Sequence, residues 1–419
     1  MTSESPRDGL QTTLSRRQEA ITLFALSALQ FINIVDFMIV MALGPELLAD
    51  LGINAQQFGW VASSYTLAAG VAGLAGATML DGIGRRTAYV MLSIGLLLGT
   101  VGCGFADSYV TLLIARCVTG AFGGVHGAFS MAIVAELFPQ ERRGRATAIL
   151  ISSFAVASVV GVPLGLALGH AFGWQKPFLM LAALGTPFVL LAGWAMPRMA
   201  DHLGEETHEP LAKLRHTLTV PAHRRGFLFI ASLVFGTFAV VPYLSTSLVA
   251  NVGVETASLP IVYVIGGLLT LAATPLTGRL VDQSGARQVF RVIAPLAAAL
   301  LLASTLLPKV GLWGSVPVIA ALMAVNSGRM VAAMSLIMAS VDPKQLGGYM
   351  SVHSSVQHLG SGLGTLLSGL FLVGGDGVPL QHFGMVGVVA SAVSLGSLWL
   401  GERVVPWNGA AEIRTRGSS

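Results

Sequence analysis

The chain has 419 residues, of which 54% are hydrophobic and 11% are charged. Soluble globular domains carry about 25% charged residues, so this chain lacks the side chains that would cover a water-facing surface. Its mean hydropathy of +0.75 indicates an integral membrane protein instead. The formal net charge of +4 is small and requires no nucleic-acid partner. Cys103 and Cys117 lie in apolar segments without metal-ligand spacing, and we expect no disulfide between them.

Twelve segments are long and apolar enough to cross a bilayer, which takes about 20 residues. We number them spans 1 to 12, at 19–45, 56–80, 87–106, 109–137, 144–172, 176–197, 225–250, 257–281, 288–308, 312–341, 346–373 and 380–401. The first span lacks a small-residue cleavage site, so we expect a retained helix rather than a signal peptide.

The longest interior polar segment, 198–224, divides the spans into two halves at 19–197 and 225–401. Polar tails at 1–18 and 402–419 flank them. Connectors within each half are short, so neighbouring helices are antiparallel. The expected fold is an all-α integral membrane bundle of twelve transmembrane helices in two pseudo-symmetric six-helix halves.

Basic residues set the orientation of this bundle. With a cytoplasmic amino terminus, all but four of the 24 Lys and Arg residues fall in cytoplasmic segments. Lys176 and Lys309 lie in outer connectors, and Arg116 and Arg329 lie inside spans. The positive-inside rule therefore predicts that both termini and the central linker are cytoplasmic. The location we expect is a bacterial-type cytoplasmic (inner) membrane, crossed many times.

Two connectors recur in both halves. Asp81 lies between spans 2 and 3, and Asp282 lies between spans 8 and 9, an offset of 201 (282 minus 81). Pro139 after span 4 and Pro343 after span 10 are offset by 204 (343 minus 139). Two landmarks in nearly the same register indicate that the chain arose by doubling one six-helix unit.

The connector that contains Asp282 reads G-x-L-x-D-x-x-G-x-R from Gly278 to Arg287, and it resembles the cytoplasmic loop signature of the major facilitator superfamily. In the first copy Ala77 and Met79 replace the glycine and leucine of the pattern. The resemblance covers 19–401 and implies a substrate cavity between two halves that rock against each other.

Two further motifs resemble particular branches of that superfamily. The segment Leu112 to Gly124, with Arg116, is similar to the fourth-helix motif of proton-coupled members. In span 5, Gly161, Pro163 and Gly165 resemble the motif of the drug and sugar efflux branch, although Val162 stands where that motif has glycine. These resemblances imply proton-coupled export, and the incomplete span 5 motif leaves uptake open.

Three ionisable residues lie deep within spans, namely Asp36, Arg116 and Arg329. Such groups are costly in hydrocarbon and each is a functional hypothesis. At 1.5 Å per residue, Asp36 and Arg116 lie roughly 13 and 10 Å from the outer helix ends, so they can meet. We predict that they form a proton-coupling pair, as in similar superfamily members. The alternative is a static buried pair, which rarely adds net stability.

Arg329 is the basis of the predicted substrate cavity. No acid lies within a helical turn of it, so we predict that it offers positive charge to a polar or anionic substrate group. The alternative is a structural tether to backbone carbonyls or to span 11. The full set of predicted cavity residues is Asn33, His126, Asn326, Arg329, His353 and Gln357.

Glycines follow Arg116 along one face of span 4, because Gly120, Gly123 and Gly127 fall within about 40° of it at 100° per residue. Close helix packing through small residues is one explanation. The other is that the stripe leaves room for a guanidinium and a substrate to move.

The two repeated connectors predict a cytoplasmic gate. Acids and bases at several helix ends would latch the cytoplasmic face in one conformation, although basic residues there also obey the positive-inside rule. The predicted gate residues are Asp81, Gly84, Arg85, Glu136, Asp282, Gly285 and Arg287.

These patterns predict a secondary active transporter, with protons, a small drug-like or sugar-like molecule and the lipid bilayer as its partners, acting as a monomer. A proton-coupled or facilitated uptake transporter and a non-transporting membrane sensor are the alternatives. We find no nucleophile elbow, zinc spacing or phosphate loop, so we expect no enzyme, no catalytic residues, no cofactor and no metal site.

Overall fold

The computed structural model describes residues 15–79, 83–197, 210–343, 345–375 and 378–407. Within them the twelve spans are helices Arg16–Ala42, Ala55–Met79, Arg85–Gly104, Tyr109–Leu137, Gln140–Val156 continuing to Phe172, Lys176–Ala195, Pro221–Val240 continuing to Ala250, Leu259–Ser284, Ala286–Thr305, Gly311–Ala339, Leu346–Phe371 and Phe383–Glu402. This architecture confirms the predicted all-α membrane fold.

Span 11 differs from the other spans in polarity. Eleven helices of the described chain are long and apolar enough to cross a membrane, and span 11 is not among them. It has 26 residues, but His353, Gln357, His358 and several serines lower its hydropathy. Its length and its place between spans 2 and 7 nevertheless make it a full member of the bundle.

Local sequence explains several helix ends. Ser15 caps span 1 by accepting from the Gln18 backbone N–H, and Ser108 caps span 4 in the same way through Thr111. Such caps satisfy backbone N–H groups that have no partner within the helix. Gly285 joins spans 8 and 9 with a φ of +84°, a left-handed conformation that favours glycine.

Three short elements interrupt the predicted pattern. Span 1 was expected to reach residue 45 but ends at Ala42, because Pro45 starts a separate helix, Gly44–Leu51. The central linker holds a helix, Pro210–Thr219, and span 7 begins at Pro221 rather than at 225. Between spans 11 and 12, strands β1 (Val373–Gly375) and β2 (Val378–Gln381) pair antiparallel.

We call the end of the bundle that carries the linker the linker end and the opposite end the far end. One hydrophobic core at the far end joins both halves, with Leu43, Phe58 and Leu166 of the first half packed among Tyr243 and Leu259 of the second. This shared core closes the far end.

Toward the linker end each half has its own core. One contains only first-half residues, such as Leu29, Phe129 and Val189. The buried members of the other, such as Phe229 and Ile337, all belong to the second half. The halves therefore share a core at one end of the bundle and have separate cores at the other.

Spans 2 and 11 form the longest contact between the halves. Small residues allow this approach, since a Cβ on Gly59 would lie 3.3 Å from the Gly369 Cα and one on Gly70 would lie 2.5 Å from Leu359 Cγ. Span 8 crosses span 5 near the middle of both spans, where a Cβ on Gly267 would lie 3.1 Å from the Ser158 carbonyl oxygen. Backbones that approach this closely depend on residues without large side chains.

Candidate functional site

The site is centred on the ion pair between Asp36 and Arg116. Arg116 Nη1 donates to Asp36 Oδ2 at 2.7 Å and to the Asp36 carbonyl oxygen at 3.2 Å. Thr100 of span 3 donates to the other carboxylate oxygen at 3.0 Å. The Asp36 side chain is 0% exposed and that of Arg116 is 1% exposed. The structure thus brings together the two residues that the sequence predicted to meet.

The guanidinium of Arg116 is also held by Tyr65, which is hydrogen-bonded to Asn33. Arg116 lies over the Tyr65 ring, 4.7 Å from its centroid, which is a cation–π distance. The Tyr65 hydroxyl donates to Asn33 Oδ1 at 2.8 Å, and Asn33 Nδ2 donates to the Gly123 carbonyl at 3.0 Å. The network therefore connects spans 1, 2, 3 and 4 inside the first half.

Two phenylalanines connect this network to the boundary between the halves. The Phe37 ring packs against Tyr65 with centroids 5.1 Å apart. It also packs against Phe238 of span 7 with centroids 6.0 Å apart. Phe37 is partly exposed, whereas Asp36 and Tyr65 are buried. A shift of span 7 relative to span 1 would therefore change the packing directly beside the ion pair.

The structure corrects the prediction for Arg329. Its side chain is buried inside the second half rather than facing the boundary between the halves. The guanidinium donates to Ser394 of span 12, to Thr237 of span 7 at 2.6 Å and to Asn326 at 2.8 Å. The alternative partners in span 11 were wrong as well. Hydroxyl and amide oxygens hold this arginine, and within the described residues no carboxylate forms an ion pair with it.

Other predicted cavity residues fall into two groups. His126 and His353 are buried, with their rings packed on Tyr89 and Tyr349 respectively. Asn326 and Gln357 are partly exposed. Packing against tyrosine explains why the two histidines do not face open space. The two amides are partly accessible, although the Asn326 oxygen already accepts from Arg329.

The glycine stripe of span 4 packs mostly against span 2. A Cβ on Gly120 would lie 2.1 Å from the Tyr65 carbonyl oxygen, and one on Gly123 would lie 2.4 Å from the Tyr65 hydroxyl oxygen. At Gly127 the nearest atom belongs to Gln30, at 3.6 Å. Close helix packing therefore explains Gly120 and Gly123. Of the three glycines, only Gly127 has room for a small side chain beside it.

The span 5 motif forms a contact surface for span 1. A Cβ on Gly161 would lie 2.2 Å from Val35 Cγ2, and one on Gly165 would lie 2.7 Å from Ile39 Cδ1. Pro163 is buried at the start of the helical segment that follows the π-helix Ala157–Gly161. The motif thus sets the distance between span 5 and the helix that carries Asp36.

The predicted gate residues of the first half lie at the linker end. Arg85 forms a 3.0 Å ion pair with Glu136, and Gly84 caps span 3. Arg142 binds Glu19 through two hydrogen bonds of 2.5 and 3.1 Å. Asp81 lies outside the described residues.

The second half has a matching group of charges at the same end. Arg287 donates to the Val404 carbonyl oxygen at 2.8 Å, and Arg291 binds Glu402 at 2.5 and 2.8 Å. Asp282 and Gly285 are exposed. Every ion pair found in the described residues joins helices of one half, so in this conformation these pairs do not fasten the halves to each other.

Sequence reasoning missed several site residues because they are uncharged. Thr100, Thr237 and Ser394 bind the deep charges through hydroxyl groups, and Tyr65 does so through its ring. Hydroxyl residues are common in membrane helices, so composition alone does not single them out. The internal repeat could have found Thr237, which lies 201 positions after Asp36 (237 minus 36).

Twelve helices in two halves, with a buried charge network beside their boundary, define a multi-pass membrane transporter. The family model described as Major Facilitator Superfamily matches residues 26–365. The chain therefore belongs to the major facilitator superfamily, as its connector motifs predicted.

Relatives and solved structures agree with this assignment. The chain is 24% identical over 273 residues to the uncharacterized MFS-type transporter YtbD of Bacillus subtilis, covering 65% of this chain and 66% of that protein, just under two thirds. It is 27% identical over 287 residues to the purine ribonucleoside efflux pump NepI of Escherichia coli O157:H7, covering 68% and 69%.

The fold also matches a crystal structure of a bacterial homologue of the human lysosomal transporter Spinster, in an inward-facing and occupied conformation. The TM-score is 0.71 at 15% identity, over 94% of this chain and 100% of that one. At 15% identity this similarity supports the fold alone.

Proposed function

We propose that the chain is a secondary active transporter that exports a small organic molecule across a bacterial-type cytoplasmic membrane in exchange for protons. The observation that carries the proposal is the buried pair of Asp36 and Arg116 beside the boundary between the halves. A carboxyl that changes its partner when the halves rock is suited to take up a proton at one face and release it at the other.

The chemistry follows from the contacts of Asp36. While Arg116 and Thr100 both donate to the carboxylate, these two hydrogen bonds stabilise its ionised form. A movement that removed Arg116 would leave a buried carboxylate without its counter-charge, and proton uptake would then become favourable. Proton binding and conformational change are linked in this way through one residue.

The conformation fits an exporter waiting for substrate. By the positive-inside rule the linker end faces the cytoplasm, and the shared hydrophobic core closes the far end. With the linker end on the cytoplasmic side, closure of the far end would make this state inward-facing. A substrate would enter from the cytoplasm and meet the partly exposed amides of Asn326 and Gln357 near the middle of the bundle.

A relative and these two amides support a proposal for the substrate class. NepI is named as a purine ribonucleoside efflux pump, and amide groups suit hydrogen bonding to nucleoside bases and sugars. A purine ribonucleoside is therefore the first probe, before broader drug-like and sugar-like panels. We also propose that the transporter works as a monomer, because both members of the buried charge pair belong to one chain.

Uptake on the same fold is the second candidate function, because the span 5 motif has Val162 in place of a glycine. Export and uptake differ in the direction of the proton gradient that drives accumulation. Inverted membrane vesicles with an acidic interior would accumulate an exported substrate, whereas a symporter would drive it out of the same vesicles.

The decisive assay is accumulation of labelled purine ribonucleosides and a wider panel in inverted vesicles, with and without an imposed pH gradient. Vesicles lacking the protein are the control. Gradient-dependent accumulation supports export, and gradient-independent binding alone supports a sensor. Equal flux with and without the gradient would contradict proton coupling.

A further inference from the structure

A second acid lies at the boundary between the halves, outside the network of Asp36. Glu46 belongs to the short helix Gly44–Leu51 at the far end, just after span 1. This helix packs against the second half at Thr246, since a Cβ on Gly44 would lie 2.6 Å from Thr246 Oγ1. Its Leu48 side chain also lies close to Gly375 of β1. Residues of the second half thus cover the helix that carries Glu46.

The Glu46 carboxyl is buried, and no basic residue of the described chain neutralises its charge. Both carboxylate oxygens are shielded from solvent, and neither forms a hydrogen bond to any other residue that the structure describes. Among the described groups, only the backbone N–H of Glu46 itself lies near enough to stabilise the charged form. The hydroxyl of Thr246, on the facing helix of the second half, is also buried and unpartnered there. Burial of an ionised carboxylate in such a place is unfavourable, whereas burial of the protonated acid costs much less. The closed far end therefore favours a neutral Glu46.

The charges around Glu46 agree with this assessment. Burial raises its pKa from 4.5 to about 7, and the neighbouring Asp50 adds to the increase, while its own backbone N–H opposes it. From the second half, the Tyr263 hydroxyl lies within electrostatic range of Glu46, and it is hydrogen-bonded to Ser245 at 2.7 Å. In the described chain, no basic group acts on Glu46.

We propose that Glu46 is a second proton-binding site, which holds a proton while the two halves close the far end over it and releases it to the outer solution when they separate. The proposal deepens the transport cycle proposed above and rests on its alternating access. Proton uptake from the outer face would favour closure, which is the step that returns an empty exporter to the cytoplasmic side.

The direction of the pH effect follows from linkage. In the closed state the pKa of Glu46 is raised, so closure is favoured at low pH and this advantage is lost as pH rises through about 7. In the open state the carboxyl would be hydrated and its pKa would return to the ordinary 4.5. The ratio of open to closed far ends should therefore rise about tenfold per pH unit between these values and then level off.

The test measures far-end separation directly in the full-length chain. Spin labels are attached at Asp107→Cys and Lys309→Cys, which are exposed far-end positions in opposite halves. Pulsed electron paramagnetic resonance then measures the distance between the two labels from about pH 4 to about pH 9. Cys103→Ala and Cys117→Ser remove the native thiols. Measurements use lipid nanodiscs without any gradient, so that transport is not required.

Glu46→Gln should keep the far end closed at every pH, because a neutral amide needs no proton. Asp50→Asn, on the same helix but exposed, is the matched control and should keep the pH response, shifted to lower pH because the charge of Asp50 no longer raises the pKa of Glu46. Glu46→Met provides a second neutral variant in case the amide disturbs folding, which thermal unfolding would reveal. The series is repeated in an Asp36→Asn background to separate the two acids.

A pH response that disappears with Glu46→Gln or Glu46→Met, and persists in Asp36→Asn, supports the proposal even if no proton-driven flux is found. A parent protein without pH response, or a response that survives both Glu46 substitutions, would overturn it. A response lost only with Asp36→Asn would assign the effect to the central pair instead.

Discussion

Asp36 and Thr237 lie 201 residues apart (237 minus 36), the same offset as between Asp81 and Asp282 of the repeated connectors, and each accepts a hydrogen bond from an arginine of its own half. Arg116 donates to the Asp36 carboxylate at 2.7 Å, and Arg329 donates to the Thr237 hydroxyl at 2.6 Å. A phenylalanine follows each of them, and these two rings pack against each other across the boundary. The duplicated fold thus carries one arginine contact with a titratable partner and one without.

This asymmetry predicts how Thr237 responds to substitution. Thr237→Val should destabilise the folded protein by about 1–3 kcal/mol, because a buried charged N–H loses its acceptor. Thr237→Ser keeps the hydroxyl and is the control. Thermal unfolding in detergent measures both. Equal melting temperatures for the parent and the valine variant would show that the contact contributes nothing.

The same relationship predicts that an acid is tolerated in the second half. Thr237→Asp would place a carboxylate beside Arg329, which has no carboxylate partner among the described residues, so the variant should fold with a melting temperature near the parent value. The matched control Thr237→Asp with Arg329→Met leaves the acid unpaired and should be strongly destabilised. Similar destabilisation of both variants would be inconsistent with pairing.

Arg329 itself is predicted to act through structure rather than through substrate contact. Its guanidinium joins spans 7, 10 and 12, so Arg329→Gln should lower the melting temperature while the folded fraction binds substrate with unchanged affinity. Arg329→Lys keeps the charge but not the planar fork, and should be destabilised as well. A weaker affinity with unchanged stability would restore the cavity role inferred from sequence.

Packing between spans 1 and 5 gives a rescue prediction. Gly161→Ala would place a Cβ 2.2 Å from Val35 Cγ2, and overpacking of this kind costs about 1–3 kcal/mol. Removing the opposing methyl groups with Val35→Ala should restore stability in the double variant. Gly278→Ala, where no atom lies within 4 Å, is the control. Failure of the rescue would place the effect outside this contact.

The cytoplasmic gate remains a prediction, because Asp81 lies outside the described residues and the ion pairs nearby join helices of one half. Asp81→Ala should loosen the latch in the opposite conformation and slow turnover, with greater cysteine accessibility at the linker end. Glu136→Gln removes only a pair that is 17% and 37% exposed and should change stability by at most about 1 kcal/mol. Reduced substrate affinity with unchanged accessibility would argue against the latch.

Helix placement was predictable because hydrocarbon imposes it. Tyr109–Leu137 matches the expected 109–137, since few sequences satisfy a bilayer without a long apolar helix. The meeting of Asp36 and Arg116 was also predictable, because charges in a membrane are rare and helical rise fixes their depth. The sequence of span 1 did not indicate that the helix ends at Ala42, before Pro45.

The remaining site residues were not predictable from one sequence. The side chain of Arg329 could face either the boundary or the interior of its half, and only the positions of Thr237 and Ser394 decide between these. Glu46 reads as an acid in a helix's first turn, where it normally stays hydrated. The helix that carries it packs against residues of the second half more than 190 positions away, such as Thr246 opposite Gly44.

Proton coupling through Asp36 is tested most directly by substrate flux in proteoliposomes against an imposed pH gradient. Asp36→Asn retains an acceptor for Thr100 and Arg116 but does not titrate, and Thr100→Val keeps the acid as the control. We predict that the asparagine variant folds and binds substrate, yet loses gradient-driven flux, while the valine variant retains it. Undiminished gradient-driven flux in Asp36→Asn would contradict the proposed coupling.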